Sequence, residues 1–260
     1  MKHFGKVYEK ILKEIEEKKG LAFLVIDPAD AELKDIPSMA KLAEETGFSA
    51  FAVGGSVGAQ GEILDQTIKL LKENSKLPVI LFPGNIASLS PHADAAYYMS
   101  LLNSRDPYYI SGAQIAAAYP TKKMNLEVIP SSYIVFEPGR AVGWVGDAKL
   151  IPRDIPYIAG ITALGGQYMG SHLVILESGS GAEEPAPVQS IAACRKLIEI
   201  PIVVAGGVRT PQLAYESIKA GADIVHIGTS INDVSGDKEK TKKLMKEMIE
   251  AVRKAGKERK

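Results

Sequence analysis

A parallel (β/α)8 barrel, the TIM barrel, is the fold this sequence predicts, over one domain spanning residues 1–260 and modified around strands three to five. Three observations predict it. Eight short apolar runs recur along the chain, β-branched and without polar alternation, as strands buried on both faces must be. Helical patterns stand between many of them. Nearly every run also ends in Gly, Asp, Glu, Ser or Asn, whereas a doubly wound sheet usually carries one glycine-rich turn after its first strand. Eight strands interleaved with helices in about 250 residues fit a barrel, whose active-site residues come from the C-terminal ends of several strands.

The elements follow in order. A helix is expected over residues 5–19, where Val7, Tyr8, Ile11, Leu12 and Ile15 recur at helical spacing and Gly20 is a stop signal. The strand runs are LAFLVID (21–27), AFAVGGS (50–56), PVILFPGN (78–85), AAYYMSLLN (95–103), SYIVFEPG (132–139), LVILESGSG (173–181), PIVVAGG (201–207) and DIVHIGTS (223–230). AKLAEETG, DQTIKLLKEN, VQSIAACRKLIE and PQLAYESIKAGA read as helices between them. The last helix sets Leu244, Met248, Ile249 and Val252 on one face. Two segments break the pattern. FPGNIASLSPHADAA leaves little room for a helix between strands three and four. ISGAQIAAAYPTKKMNLEVIP and GRAVGWVGDAKLIPRDIPYIAGITALGGQYMG surround strand five with Gly and Pro and read as long functional loops.

Composition narrows the function classes. Apolar residues make up 46% and charged residues 24%, ordinary for a globular domain. The formal net charge is zero and no basic block precedes the Lys-rich C-terminal helix, which argues against a nucleic-acid partner. The single cysteine, Cys194 in AACRKL, excludes an intrachain disulfide and a cysteine-rich metal site and reads as a small packing residue. The N-terminal stretch is charged throughout, without a signal-peptide core. No window approaches the ~20 apolar residues of a membrane span. The expectation is a soluble, cytoplasmic protein.

The strand ends carry the chemistry. Gly206 and Gly207 follow strand seven, and Gly228 and Thr229 follow strand eight, where barrels commonly bind phosphate through backbone N–H groups. Asp27 ends strand one and Ser56 strand two. Together they are a candidate Mg2+ site, with a turn cap the plainer reading of Asp27. Glu177 ends strand six, suited to act as general base or as an electrostatic stabiliser of a developing cation. Glu137 ends strand five, flanked by Tyr133 and Arg140. Arg140, Lys149 and Arg153 offer cations for a second phosphate or diphosphate. His3, His92, His172 and His226 show no metal-ligand spacing. His226, in mid-strand, reads as a hydrogen-bonded core residue, and His172 falls at the wrong end of the barrel.

IDPAD, AVGGS, LFPGN, SSYIVFEPGRAVGWVGDAKLIPR, LESGSGAEEP, AGGVRT and GADIVHIGT run in order from about residue 20 to 230. In this the chain resembles geranylgeranylglyceryl phosphate synthase, an archaeal-type prenyltransferase family related to the bacterial heptaprenylglyceryl phosphate synthases. The resemblance implies a modified TIM barrel that joins sn-glycerol 1-phosphate to a polyprenyl diphosphate, geranylgeranyl being the expected donor. The ether bond forms with Mg2+ help and diphosphate leaves, the first committed step of archaeal-type ether lipid synthesis. By position Asp27 and Ser56 match the magnesium site. Ile175, Leu176, Glu177, Ser178, Gly179, Ser180 and Gly181, with Gly206, Gly207, Gly228 and Thr229, match the glycerol-phosphate site. Glu177 would orient or deprotonate the attacking hydroxyl.

Asn85, Tyr133, Arg140, Trp144 and Lys149 are candidate diphosphate or prenyl contacts, and Tyr97, Tyr98 and Met99 candidate walls of an apolar groove. The family also implies a homo-oligomer, and release of a lipid product implies peripheral contact with a membrane. Two departures stand out. The family's Tyr ahead of Leu-Glu is Ile175 here, so its hydroxyl is expected from another group, Tyr168 being the candidate. DPAD replaces an acid-basic pair, which leaves Asp27 intact but alters its surroundings. Two other readings stand beside this one, the first of which shares the glycine pairs. An FMN-dependent or isomerase-type barrel would show colour, or a Lys or His catalyst at a strand end. A non-catalytic prenyl-lipid carrier would keep the groove without needing Mg2+.

Overall fold

The computed structural model describes residues 5–259, so His3 lies outside the described residues. Strands β1 (Leu21–Ile26), β2 (Ala50–Val53), β3 (Val79–Leu81), β4 (Ala95–Leu101), β5 (Glu127–Val135), β6 (Leu173–Glu177), β7 (Ile202–Ala205) and β8 (Ile224–Ile227) each pair in parallel with the next, and β8 closes on β1. Along each strand alternate side chains face opposite ways. Leu21, Phe23, Tyr97, Ile129, Tyr133, Leu173, Ile175, Val203 and Ile224 fill the interior. Leu24, Phe51, Leu81, Ile134, Leu176, Val204 and Val225 form the layer under the helices. Both faces are buried, which is why the runs are apolar throughout.

Helix α1 (Lys6–Lys18) lies across the N-terminal mouth. Its first turn is held by Glu127, whose carboxylate accepts from Val7 N at 2.9 Å and Tyr8 N at 2.8 Å, satisfying donors that have no partner within the helix. The Tyr8 hydroxyl donates to the His172 carbonyl at 2.6 Å, and the two rings stack 5.4 Å apart. His172 is thereby fixed at the foot of β6, away from the strand ends. The helix stops at Lys19, left-handed at φ 55°, one residue before the expected Gly20.

Helices α2 (Ile36–Thr46) and α3 (Gly61–Asn74) follow β1 and β2. No helix forms between β3 and β4, as the sequence implied, and this leaves a gap in the outer layer. The segments expected as loops around β5 are more regular than the sequence suggests. A π-helical turn (Tyr108–Gly112) runs into α4 (Ala113–Lys123), and α5 (Arg140–Val145) and α6 (Pro156–Tyr168) follow β5. β5 starts at Glu127, upstream of the expected 132. Pro120 lies inside α4 and Pro130 inside β5, both read in isolation as breakers. Burial of Ala117 and Thr121, and pairing of β5 with β4 and β6, outweigh that local preference.

Helices α7 (Val188–Leu197), α8 (Pro211–Lys219), α9 (Thr229–Asn232) and α10 (Lys238–Glu258) complete the ring. Thr210 caps α8 by accepting from Leu213 N at 3.2 Å, at the start the sequence predicted. At the foot of β8, Asp223 accepts from Arg195 Nη1 at 3.0 Å, Arg259 Nη2 at 2.8 Å and Ile202 N at 2.9 Å. One carboxylate thus ties α7, the end of α10 and β7 together.

Candidate active site

A cavity of about 790 Å³ opens at the C-terminal ends of the strands. Asp27, Ser56, Asn85, Tyr133, Glu177, Ser180, Gly181, Gly206, Gly207, Gly228 and Thr229 all line it, so residues far apart in sequence converge. Ile175, Leu176, Ser178 and Gly179 are buried behind this lining. Ile175 faces the barrel interior beside Tyr133 in the β5–β6 register.

Glu177 is the last residue of β6, points inward and is 4% exposed. Its Oε2 accepts from the Tyr133 hydroxyl at 3.1 Å and its Oε1 from Gly179 N at 2.6 Å. Gly206, at φ +70°, has no room for a side chain, because a Cβ there would lie 2.2 Å from Glu177 Oε1. The loop after β7 and the acid therefore touch. Burial pushes the Glu177 carboxyl from 4.5 up to about 7, against the opposing pull of the Gly179 N–H, the Tyr133 hydroxyl and the Ser178 N–H. An acid poised near neutrality suits a general base.

The hydroxyl beside Glu177 thus comes from Tyr133 on the neighbouring strand. Tyr168, the stand-in suggested by the sequence, is 78% exposed at the end of α6, the side from which the chain enters the foot of β6.

Two consequences follow for pH. A base must be ionised to accept a proton, so kcat/KM is expected to rise with pH and level off above about 7. Tyr133→Phe should move that limb to higher pH, since the hydroxyl favours the carboxylate. For stability the sign is opposite. Between 4.5 and about 7 the folded state holds a proton that the unfolded state has released, so stability falls as pH rises through this window. The full loss is on the order of 3 kcal/mol. Glu177→Gln should flatten both profiles, as read by rate–pH curves and by denaturant melts.

Asp27 lies just past β1, half-buried, with Oδ1 accepting from Ala29 N at 3.0 Å. Burial raises its pKa, the Ala29 N–H opposes this, and the Asp30 charge adds to it. A Cβ on Gly55 would stand 2.0 Å from Oδ2, so a glycine cradles the carboxylate beside Ser56. Among the described residues no group of three or more His, Cys, Asp or Glu is placed to share one metal ion. The set fits a hard divalent cation that takes one protein carboxylate and completes its shell with substrate oxygens and water.

The cavity floor is aromatic. Phe82 meets Tyr97, Tyr133 and His226 edge-on, with centroids 5.3–5.7 Å apart. The His226 ring bonds across the barrel to the Tyr97 hydroxyl at 3.1 Å, and burial brings its pKa down to about 3, so it is neutral. Met39, Leu89, Tyr98, Met99 and Val142 line the apolar part of the cavity. The Gln114 side chain donates to the Met99 carbonyl and the Tyr98 hydroxyl to the Gln114 carbonyl, clasping α4 to β4.

Sequence reasoning did not single out Phe82. Its parity with the inward Ile80 was the available signal. Three candidate contacts, Arg140, Trp144 and Lys149, do not line the cavity. Trp144 is 86% exposed on α5, which turns its neighbours Val142 and Val145 to the cavity instead. Lys149 is exposed, its backbone held by Asn103. Glu137 is also exposed, and its carbonyl accepts from Arg153 at 3.2 Å.

Known proteins resemble this chain in sequence and in fold. The model of the PcrB family matches residues 12–252. A Pyrococcus furiosus protein named geranylgeranylglyceryl phosphate synthase is 50% identical over 240 residues, 92% of this chain and 95% of the relative. One of the same name from Thermococcus gammatolerans is 46% identical over 253 residues, 97% of this chain and all of the relative. The Thermoplasma acidophilum (S)-3-O-geranylgeranylglyceryl phosphate synthase, solved with its substrate sn-glycerol-1-phosphate, superposes with a TM-score of 0.89 at 34% identity. That match covers 97% of this chain and 100% of the other. An archaeal fructose 1,6-bisphosphate aldolase, at 16% identity and a TM-score of 0.61, shares the fold alone.

Proposed function

The chain belongs to the PcrB family, and on that premise we propose that it is a Mg2+-dependent prenyltransferase joining sn-glycerol 1-phosphate to a polyprenyl diphosphate, with geranylgeranyl diphosphate the expected donor. The product is the first committed intermediate of archaeal-type ether lipids. The names of relatives 46–50% identical over more than nine-tenths of the chain support the reaction class. The observation that carries the reading is Glu177, a carboxylate poised near neutral pH between a glycine-lined phosphate loop and the Tyr133 hydroxyl.

The backbone at Gly206, Gly207, Gly228 and Thr229 takes the acceptor's phosphate, which fixes its free hydroxyl beside Glu177. Glu177 accepts the hydroxyl proton as the oxygen forms a bond to the allylic carbon. The bond from that carbon to the diphosphate breaks, and diphosphate departs with the electron pair. Asp27, with Ser56 beside it, would hold a Mg2+ ion whose charge offsets that of the leaving diphosphate. The isoprenoid tail lies in the apolar part of the cavity, each buried methylene contributing about 0.8 kcal/mol.

We assign the reaction to the cytoplasm, with the lipid product passed to a membrane surface by peripheral contact. Among the described residues no helix is long and apolar enough to cross a membrane. The exposed Ile115, Tyr119, Trp144 and Tyr157 support a homo-oligomer. The test is incubation with Mg2+, sn-glycerol 1-phosphate and farnesyl, geranylgeranyl and longer diphosphates. Diphosphate release with at least one donor is expected. Silence with every donor would overturn the transferase reading.

A further inference from the structure

The acceptor's phosphate is a dianion, and glycine backbone alone supplies no full positive charge to meet it. The cations around the mouth differ in what they already hold. Arg153 pairs with Glu184 at 3.1 Å and Arg209 with Asp233 at 2.9 Å. The Arg140 guanidinium has no hydrogen bond and no ion pair among the described residues. It is nonetheless held in place. Its backbone is left-handed at φ 49°, a conformation that costs a non-glycine residue about 1–2 kcal/mol.

The stem of Arg140 lies against the loop after β6. A Cβ on Gly179 would stand 2.6 Å from Arg140 Cβ and 2.7 Å from its Cγ, so Gly179, itself at φ +98°, leaves the space that the stem occupies. The guanidinium reaches the next glycine. A Cβ on Gly181 would lie 3.7 Å from Arg140 Nη2, and Gly181 and Ser180 line the cavity. An unpaired guanidinium, on a strained backbone, is thus laid along the loop that connects the acid to the phosphate site.

We propose that Arg140, which stands just outside the cavity lining, binds the acceptor's phosphate, its guanidinium reaching in beside Gly181 to supply the charge that the glycine amides lack. This deepens, and rests on, the assignment of sn-glycerol 1-phosphate to this site. The sequence suggested a second phosphate or diphosphate, or the prenyl donor, as the partner of Arg140. Packing against the β6 loop turns it to the acceptor instead. A planar fork suits phosphate, and two N–H groups directed at one anion give orientation as well as charge.

Calorimetric titration with sn-glycerol 1-phosphate alone, without donor or Mg2+, tests this. Arg140→Met keeps the stem and is expected to weaken binding about tenfold, the loss of one charge-assisted contact. Arg140→Lys should fall between it and the native protein. The differences should shrink as salt is raised, because an exposed charge is screened. Arg140→Gly, which suits the left-handed backbone, should bind as weakly as Arg140→Met while melting no lower than the native protein, which separates a binding role from a structural one. In steady state the same variants should raise KM for the acceptor and leave kcat and the donor's KM nearly unchanged. Native-like affinity in Arg140→Met and Arg140→Gly would overturn the role of Arg140 and leave the enzyme assignment standing. Failure of the native protein to bind the acceptor would overturn both.

Discussion

Glu177→Gln is expected to lower kcat by about 10²–10⁴-fold, the usual contribution of a positioned general base. Gln has nearly the same shape: its Oε1 can still accept from Gly179 N, while its Nε2 donates to the Tyr133 hydroxyl oxygen, so both contacts, at 2.6 and 3.1 Å in the native protein, have a partner. What it lacks is the capacity to take a proton. Binding of the acceptor, measured without donor, should change little, because the phosphate is held by other residues. The variant should also be more stable than the native protein above pH 7, where the native carboxylate is ionised in a site that burial makes unfavourable for charge. A slow, stable variant with intact binding is the signature of a removed base. A rate within a few-fold of the native enzyme would take Glu177 out of the chemistry.

Asp223→Ala is expected to destabilise the fold by about 3 kcal/mol while leaving activity at low temperature unchanged, since the foot of β8 is far from the strand ends. The Asp223 side chain is 5% exposed and meets two guanidinium groups that are 28% and 21% exposed. Removing it leaves two half-buried cations without their counter-ion and a buried Ile202 N–H without its acceptor. The partial exposure of the arginines is why the expected loss sits at the lower end for a broken buried pair. At about 2–4 °C per kcal/mol for a chain of this size, melting should drop by roughly 6–12 °C. Asp223→Asn, which can still accept from Ile202 N, should lose less. A melting point unchanged in Asp223→Ala would show that the network contributes nothing net.

Much of the site was legible because barrel geometry converts order into place. Once eight apolar runs are accepted as parallel strands, the residue ending each run must lie on one rim. Asp27, Ser56, Glu177, Gly206 and Gly228 follow from that rule and do line one cavity. The helices around β5 were obscured because Pro120, Gly112 and Gly166 are local breakers, and local preference is worth only a few kcal/mol against burial of a whole face. Trp144 shows the opposite limit. Its motif neighbours the site in sequence, yet α5 turns it outward, and a single residue's position on a short helix has no periodic signal to read.

Spacing by itself determined the strand count and which residues end the strands on one rim, Glu177 among them, because alternation of period two and period 3.6 is a property of the chain read in one dimension. Tertiary structure decided which groups meet across strands. Tyr133 stands beside Glu177 although forty-four positions separate them, and in the register it faces Ile175, which carries no hydroxyl. It also decided that Glu177 titrates near neutrality, since desolvation depends on everything that surrounds a carboxylate, and that the Arg140 guanidinium has no counter-charge among the described residues beside the glycine loop. Burial and unpaired charge are sums over neighbours in space, and no window along the sequence contains those neighbours.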